Sequence, residues 1–485
     1  MLKGFPPPWN ERFSRARTMI REILEKEKLP SISVAAAKDG EIVWEESFGW
    51  ANREEKIKAT PKTMYSLASI SKPFTATGIM ILVERGLVDL DAPANKYLGN
   101  AGLRAFEGRA EDATVQRLLH HTAGLPTHWN FYYQGKTYSR PSMEDAIRNF
   151  GILVNPPGAG YNYANFGYGI LEHIIERVSG KSYVDFMKEE VFQPLGLTRT
   201  AVFTSPGPKK DVAERYAGMM PVPFYDFDHR GASAVYSSAH DLIRFGMVHM
   251  KNEVEGVKPI LKKETIEKMQ THKDPLQPGI GYKLGWLTAE VMGCKLVTHS
   301  GGMPGVRTTL WLLPEENAAV AILCNGHMRN PKPIGLAIVS ALLPEKGKAM
   351  AQASKPSPAQ GPAPKSKKFT PSKELQGGWS GEIHAKGRQM PVRLTIGEEG
   401  DVQCQILEKG SAGSKPHDSL GPLQFSNGFL YAAFNFKLPL GEEERTANTV
   451  QFNLKLRKGR LAGIAYARAV NGEFLLPAYI SLTKE

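Results

Sequence analysis

Cysteine is scarce: Cys294, Cys324 and Cys404 are the only three in 485 residues. They lie far apart and are odd in number, so they make neither a disulfide framework nor a zinc-ligand spacing. Long apolar runs are also missing. The longest mostly apolar candidate, Ile334 to Leu343, is bounded by Pro333 and Pro344 and falls far short of the ~20 residues that a membrane-spanning helix needs. The opening MLKGFPPPWNERF has no apolar stretch of signal-peptide length, and prolines 6 to 8 would interrupt one. The chain as written is therefore expected to be soluble and cytoplasmic, and periplasmic or secreted only where a leader has been removed. Acidic residues are outnumbered, 49 against 61 basic ones, for a net charge of +12. A nucleic-acid binder would gather that excess on one element or in a known module, and no such module is present. Seven lysines instead fall between Glu345 and Glu374, which reads as a solvated stretch and excludes a nucleic-acid partner. The twelve histidines include His120 and His121, yet no H-E-x-x-H or comparable ligand set accompanies them, so neither a metal nor another cofactor is expected.

What is there is a chain of ordinary globular composition, 41% hydrophobic and 23% charged, too long for one core. Residues 346–372 combine Pro, Ala, Ser and Lys with almost no large apolar side chain, so they cannot bury enough surface to order themselves. That stretch is expected to link a domain at 1–345 to another at 373–485. The first mixes strand-like and helical patterns; Ile32 to Ala37 and Glu41 to Phe48 read as two strands joined at Lys38-Asp39-Gly40. The second holds short alternating runs, such as Val392 to Ile396, Val402 to Leu407 and Val450 to Leu456, separated by Gly, Asn and Lys turns. It reads as an all-β barrel or sandwich.

The chemistry concentrates at Ser66 to Ala76, where Ser69-Ile-Ser-Lys72 opens a helix continued by Ile79, Leu82 and Val83. Pro73 fits the first turn, the one place where a missing N–H costs no intrahelical bond. Three residues are nearly one helical turn, so the Lys72 amine reaches the Ser69 hydroxyl, and a helix start favours a negatively charged intermediate. Four residues with two fixed recur by chance, and a serine cap is the bland alternative. Two further segments follow in order, Tyr163-Ala164-Asn165 and His299-Ser300-Gly301, 94 and 230 positions beyond Ser69.

This ordered set resembles the S-x-x-K, Y-x-N and K-T-G elements of the serine β-lactamase-like and penicillin-binding superfamily: class C β-lactamases, D-aminopeptidases and related esterases. Leu118-Leu-His-His-Thr122-Ala-Gly124-Leu125, Pro157-Gly158 and Tyr161 to Tyr168 are similar to its loops, and Gly231 to Phe245 to its small-residue stretch before a helix. In that last stretch Ser238, three before Asp241, reads as a helix N-cap and carries no chemistry. The resemblance covers roughly residues 20–330. It implies an α/β (α+β) fold, an antiparallel sheet flanked by helices with a helical subdomain, followed by the all-β barrel domain. Gly377-Gly378-Trp379 and the overall layout are similar to the lipocalin-like domain appended to D-aminopeptidases and archaeal serine peptidases, where such a domain narrows the site or mediates oligomers.

The resemblance also implies roles. Ser69 attacks and is acylated. Lys72, whose amine must be depressed by burial or neighbouring charge before it accepts a proton, shares a proton with Tyr163, which later protonates the leaving group. Asn165 holds the substrate carbonyl or the Lys72 amine. Ser69 and Gly302, on the strand edge Thr298 to Met303, supply oxyanion N–H groups, and His128 is a candidate lining residue. His299 stands where β-lactamases carry a lysine, so the compact cation that holds a substrate carboxylate is absent; a neutral histidine there would donate to Tyr163 or to substrate. The expected activity is acyl transfer on small amides or esters. A β-lactamase proper and a penicillin-binding sensor that does not turn over are the alternatives, and a homo-oligomer assembled through residues 373–485 is the expected partner state.

Overall fold

The structure, a computed structural model, describes residues 9–271, 280–291, 294–346, 369–407, 415–426, 428–438, 440, 445, 446 and 448–485. Of the expected linker 346–372, residues 347–368 lie outside the described residues. The architecture is mixed, with antiparallel sheets and helices followed by an all-β C-terminal portion. Among the described residues, no helix is long and apolar enough to cross a membrane.

The chain forms two compact units: the described residues of Met1–Ala92 with Tyr168–Pro356, and those of Pro93–Gly167 with Ser357–Glu485. The first is built on an eight-stranded antiparallel sheet. Its order is Ile280–Lys283, Trp286–Val291, Cys294–Met303, Val306–Leu313, Ala318–Cys324, Ser31–Lys38, Glu41–Asn52 and Ile57–Lys58. The strands Ser31–Lys38 and Ala318–Cys324 are buried along almost their whole length, because helices cover both faces and each face must be apolar. On one face Val34, Ala36, Val320 and Ile322 meet Phe13, Ile20, Ile334 and Ile338 of the flanking helices. The first two strands turn at Asp39 and Gly40, with φ of 54° and 84°, as a two-residue hairpin of right-handed twist requires.

The helix Ser71–Glu84 is buried on every side from Ser71 to Leu82, so its sequence shows little polar stripe. Its polar side chains are instead satisfied locally: Thr75 donates to the Gly231 carbonyl at 2.5 Å and Thr77 to that of Pro73 at 2.8 Å. Ser238 caps the helix Ala239–His249 by accepting the Asp241 N–H at 3.1 Å, in keeping with its reading as a structural cap.

Among the described residues of the second unit, nine antiparallel strands follow one another from Gly377–Ala385 to Phe474–Lys484, which pairs back onto the first. The strand Trp129–Tyr133 of the earlier segment adds to the same sheet through Phe474↔Asn130 and Leu475↔Trp129. A shared core joins Ile152 and Val154 to Ala462, Ile464, Tyr466 and Leu475.

Candidate active site

The expected site residues come together in two groups, one in each unit. In the first unit Ser69 sits in a 3₁₀ turn, Ala68–Ile70, that runs directly into the helix Ser71–Glu84. Ala68 has φ of 48°, a left-handed conformation that costs a side-chain-bearing residue roughly 1–2 kcal/mol. Neighbouring strands hold it there: the Leu67 N–H donates to Val235 O at 2.9 Å, the Leu67 carbonyl accepts from Thr308 Oγ1 at 2.8 Å, and Ser71 Oγ accepts the Val235 N–H at 3.0 Å. The turn is thus fixed on both sides of the serine, which is itself half-buried.

Lys72 is completely buried. Its Nζ lies 3.1 Å from Ser69 Oγ, 3.3 Å from the Ala232 carbonyl and 5.6 Å from the centre of the Tyr168 ring. Burial drives its pKa well below the ordinary lysine value, since removing water penalises the ammonium and not the amine. A lysine in this state can take a proton from the hydroxyl it touches.

The strand Cys294–Met303 pairs with Trp286–Val291 only as far as Thr298, while its other edge stays paired through Met303. Along it His299 and Gly301 are buried, whereas Ser300 and Gly302 are exposed. A side chain at Gly301 would begin 2.1 Å from the Leu67 carbonyl oxygen and 2.3 Å from Thr308 Oγ1, so only glycine lets this strand lie against the nucleophile turn. Gly301→Ala is expected to lower turnover at least about 100-fold by shifting that strand; initial rates beside a thermal melt check it, and an alanine variant with full activity would show that the close approach is dispensable.

His299 is held in one tautomer. Its Nδ1 lies 2.8 Å from the Ser300 carbonyl, which only accepts, so Nδ1 carries the proton; its Nε2, 3.0 Å from Tyr282 Oη, accepts the phenolic hydrogen. Burial, with the neighbouring Lys72 as the second cause, brings its pKa down to about 3, so it is neutral at pH 7. Both ring nitrogens are therefore engaged inside this unit.

The second group lies around residues 121–128 and 161–165. The Asn162 N–H donates to the His121 carbonyl at 2.8 Å and the Ala164 N–H to His121 Nδ1 at 3.1 Å, with the His121 ring 4.4 Å from that of Tyr163. Thr127 Oγ1 donates to the Tyr163 carbonyl at 3.3 Å and Asn165 Nδ2 to that of His128 at 3.1 Å. Tyr163 and Asn165, either side of the start of the helix Asn165–Ser179, are thereby tied to one loop. His128 is fully buried against Phe150 and Phe166, not solvated as loop histidines usually are. His121, in sequence only half of a loop pair, is buried with φ of 59°, a left-handed conformation that histidine adopts more readily than most residues.

A family model described as Beta-lactamase matches residues 16–343. A penicillin-binding protein of Bacillus subtilis is 29% identical over 334 residues, 64% of this chain and 71% of its own length. An unguisins hydrolase of Aspergillus campestris is 27% identical over 328 residues, 63% of this chain and 60% of its own, so the match spans under two thirds of that protein. Among solved structures, the octameric penicillin-binding protein homologue from Pyrococcus abyssi superposes with a TM-score of 0.59 at 25% identity, over 97% of this chain and 99% of its own.

Proposed function

The chain belongs to the β-lactamase family, and we propose that it is a serine hydrolase that cleaves small amides or esters through an acyl-enzyme on Ser69. The observation that carries this reading is the 3.1 Å approach of a wholly buried Lys72 amine, its pKa depressed by burial, to the Ser69 hydroxyl. A purely structural chain has no use for such a pair: burying a lysine costs stability that only chemistry repays. Lys72 takes the hydroxyl proton as Ser69 attacks the carbonyl carbon; the N–H groups of Ser69 and Gly302 stabilise the oxyanion. Tyr163 protonates the departing amine or alcohol, Asn165 orients the substrate, and water then hydrolyses the ester with the same groups acting in reverse.

The neutral His299 bears on substrate. With no cation at that position, an acyl donor lacking a free carboxylate fits better than a β-lactam, whose carboxylate needs a charge-assisted partner. The hydrolase named for the Aspergillus relative supports turnover. The name of the Bacillus relative favours a second reading, acylation by penicillins, and the octameric Pyrococcus homologue supports a homo-oligomer.

The test is a panel of initial rates on D-alanyl-p-nitroanilide, p-nitrophenyl butyrate and a chromogenic cephalosporin. Turnover of the anilide or the ester is expected. Turnover of the cephalosporin alone would overturn the argument from His299, and a single stoichiometric acylation without turnover would establish the penicillin-binding reading in its place.

A further inference from the structure

The C-terminal β-strands share one compact unit with residues 93–167, and the contacts converge on the loop that holds Tyr163. The Arg445 guanidinium, its side chain only 5% exposed, donates to Asn130 Oδ1 at 2.7 Å and to the Phe131 carbonyl. Its plane lies over the Tyr138 ring, 3.9 Å from the centroid, and Glu473 follows at 3.9 Å. The backbone of the same strand is secured as well, with the Phe131 N–H donating to Glu473 O at 2.9 Å and Trp129 Nε1 to Gly472 O at 3.1 Å. Just upstream, Trp129 packs against the core that Tyr466 shares with Ile152 and Val154. Thr127 donates to the Tyr163 carbonyl, and His128 O receives the Asn165 amide.

No residue in 373–485 stands out in the sequence as catalytic, and none of these side chains is assigned a part in the chemistry above. Their common feature is that they grip residues 129–131, leaving Thr127 and His128 to fix Tyr163 and Asn165. A strand held by a buried arginine fork and by its own backbone bonds is a device for keeping a backbone in one place. We propose that Arg445 is a positioning residue for the Tyr163–Asn165 segment, acting through residues 127–131. This inference rests on the serine-hydrolase reading above, in which Tyr163 protonates the leaving group.

That dependence supplies a readout which a merely structural role would not move. An ethyl ester has a strongly basic leaving group that needs the proton from Tyr163, whereas the p-nitrophenyl ester of the same acid loses a weakly basic one without it. The two share one acyl-enzyme, and kcat/KM reports its formation. In Arg445→Lys, which keeps the charge but loses the two-pronged grip, kcat/KM for the ethyl ester is expected to fall about tenfold to a hundredfold more than for the p-nitrophenyl ester, the size of effect that small misplacements of a catalytic group produce. Asn130→Ala, which removes the side-chain acceptor of that grip, is read in the same way should the first variant fail to fold. Wild type and Ser69→Ala are measured alongside on both esters, with melting temperatures for all four proteins. If Ser69→Ala abolishes turnover but both positioning variants lower the two rates in parallel, or neither rate, the positioning role is overturned and the hydrolase reading stands. If Ser69→Ala turns over like wild type, it is the hydrolase reading that falls.

Discussion

Turnover by Ser69→Ala is expected to fall by a factor on the order of 10⁴ or more, to the level left by binding and oxyanion stabilisation alone. The structure gives reasons for both the size and the cleanness of the effect. The hydroxyl is the atom that Lys72 Nζ approaches at 3.1 Å, and no other serine occupies the start of that helix except Ser71, whose Oγ is committed to the Val235 N–H. The turn around position 69 is held by Leu67 and Ser71 through bonds that the substitution leaves intact. Stability should therefore change by only roughly 0.5–1.5 kcal/mol, the net worth of the one hydrogen bond to Lys72 that is lost. The measurement is twofold: rates on the anilide, butyrate and cephalosporin substrates, and intact mass after incubation with a slow acylating ester. Wild type should gain one acyl group and the variant none. Unchanged rates would place the nucleophile elsewhere and dissolve the roles assigned to Lys72 and Tyr163 with it.

How much of this was legible beforehand depended on whether the signal was local. The three-residue spacing of Ser69 and Lys72, Pro73 in the first turn, the hairpin at Asp39-Gly40 and the Ser238 cap are all decided within a few residues, and periodicity or turn chemistry exposes them. The conformation of Ala68 is not of that kind. An alanine enters the left-handed region only because Val235 and Thr308, 167 and 240 positions away, hold Leu67 in place, and no local pattern announces such a clamp. His299 shows the same limit: sequence reveals a histidine where a lysine is usual, but the partner of its Nε2, Tyr282, is brought beside it by strand pairing. His128 was placed on a loop, where solvation is the usual fate; Phe150 and Phe166 bury it instead. Most hidden was the union of residues 93–167 with the C-terminal strands. Arg445 and Asn130 are separated by more than 300 positions, and a contact between such segments leaves no trace in the periodicity of either.

Lys72→Met should separate activity from stability, lowering turnover about 1,000-fold or more while raising the melting temperature at pH 7. The direction of the second effect follows from linkage. The unfolded chain exposes Lys72, which binds a proton at any pH below its ordinary value near 10.5; in the folded protein, burial holds the amine's pKa well below that. Between the two values the unfolded state carries the extra proton, so folding must expel it, and stability rises as the pH climbs toward the unfolded value. Methionine fills nearly the same volume with no charge to desolvate, and every kcal/mol so recovered is worth about 2 °C in a unit of this size. Melts of wild type and variant across pH 6.5 to 9.5 check it, with the advantage of the variant largest at the acid end and shrinking as the pH rises. A variant that melts below wild type throughout, with the gap independent of pH, would mean that Lys72 enters the folded state as the ammonium, stabilised by its surroundings. In that case the base for Ser69 must be sought in another group.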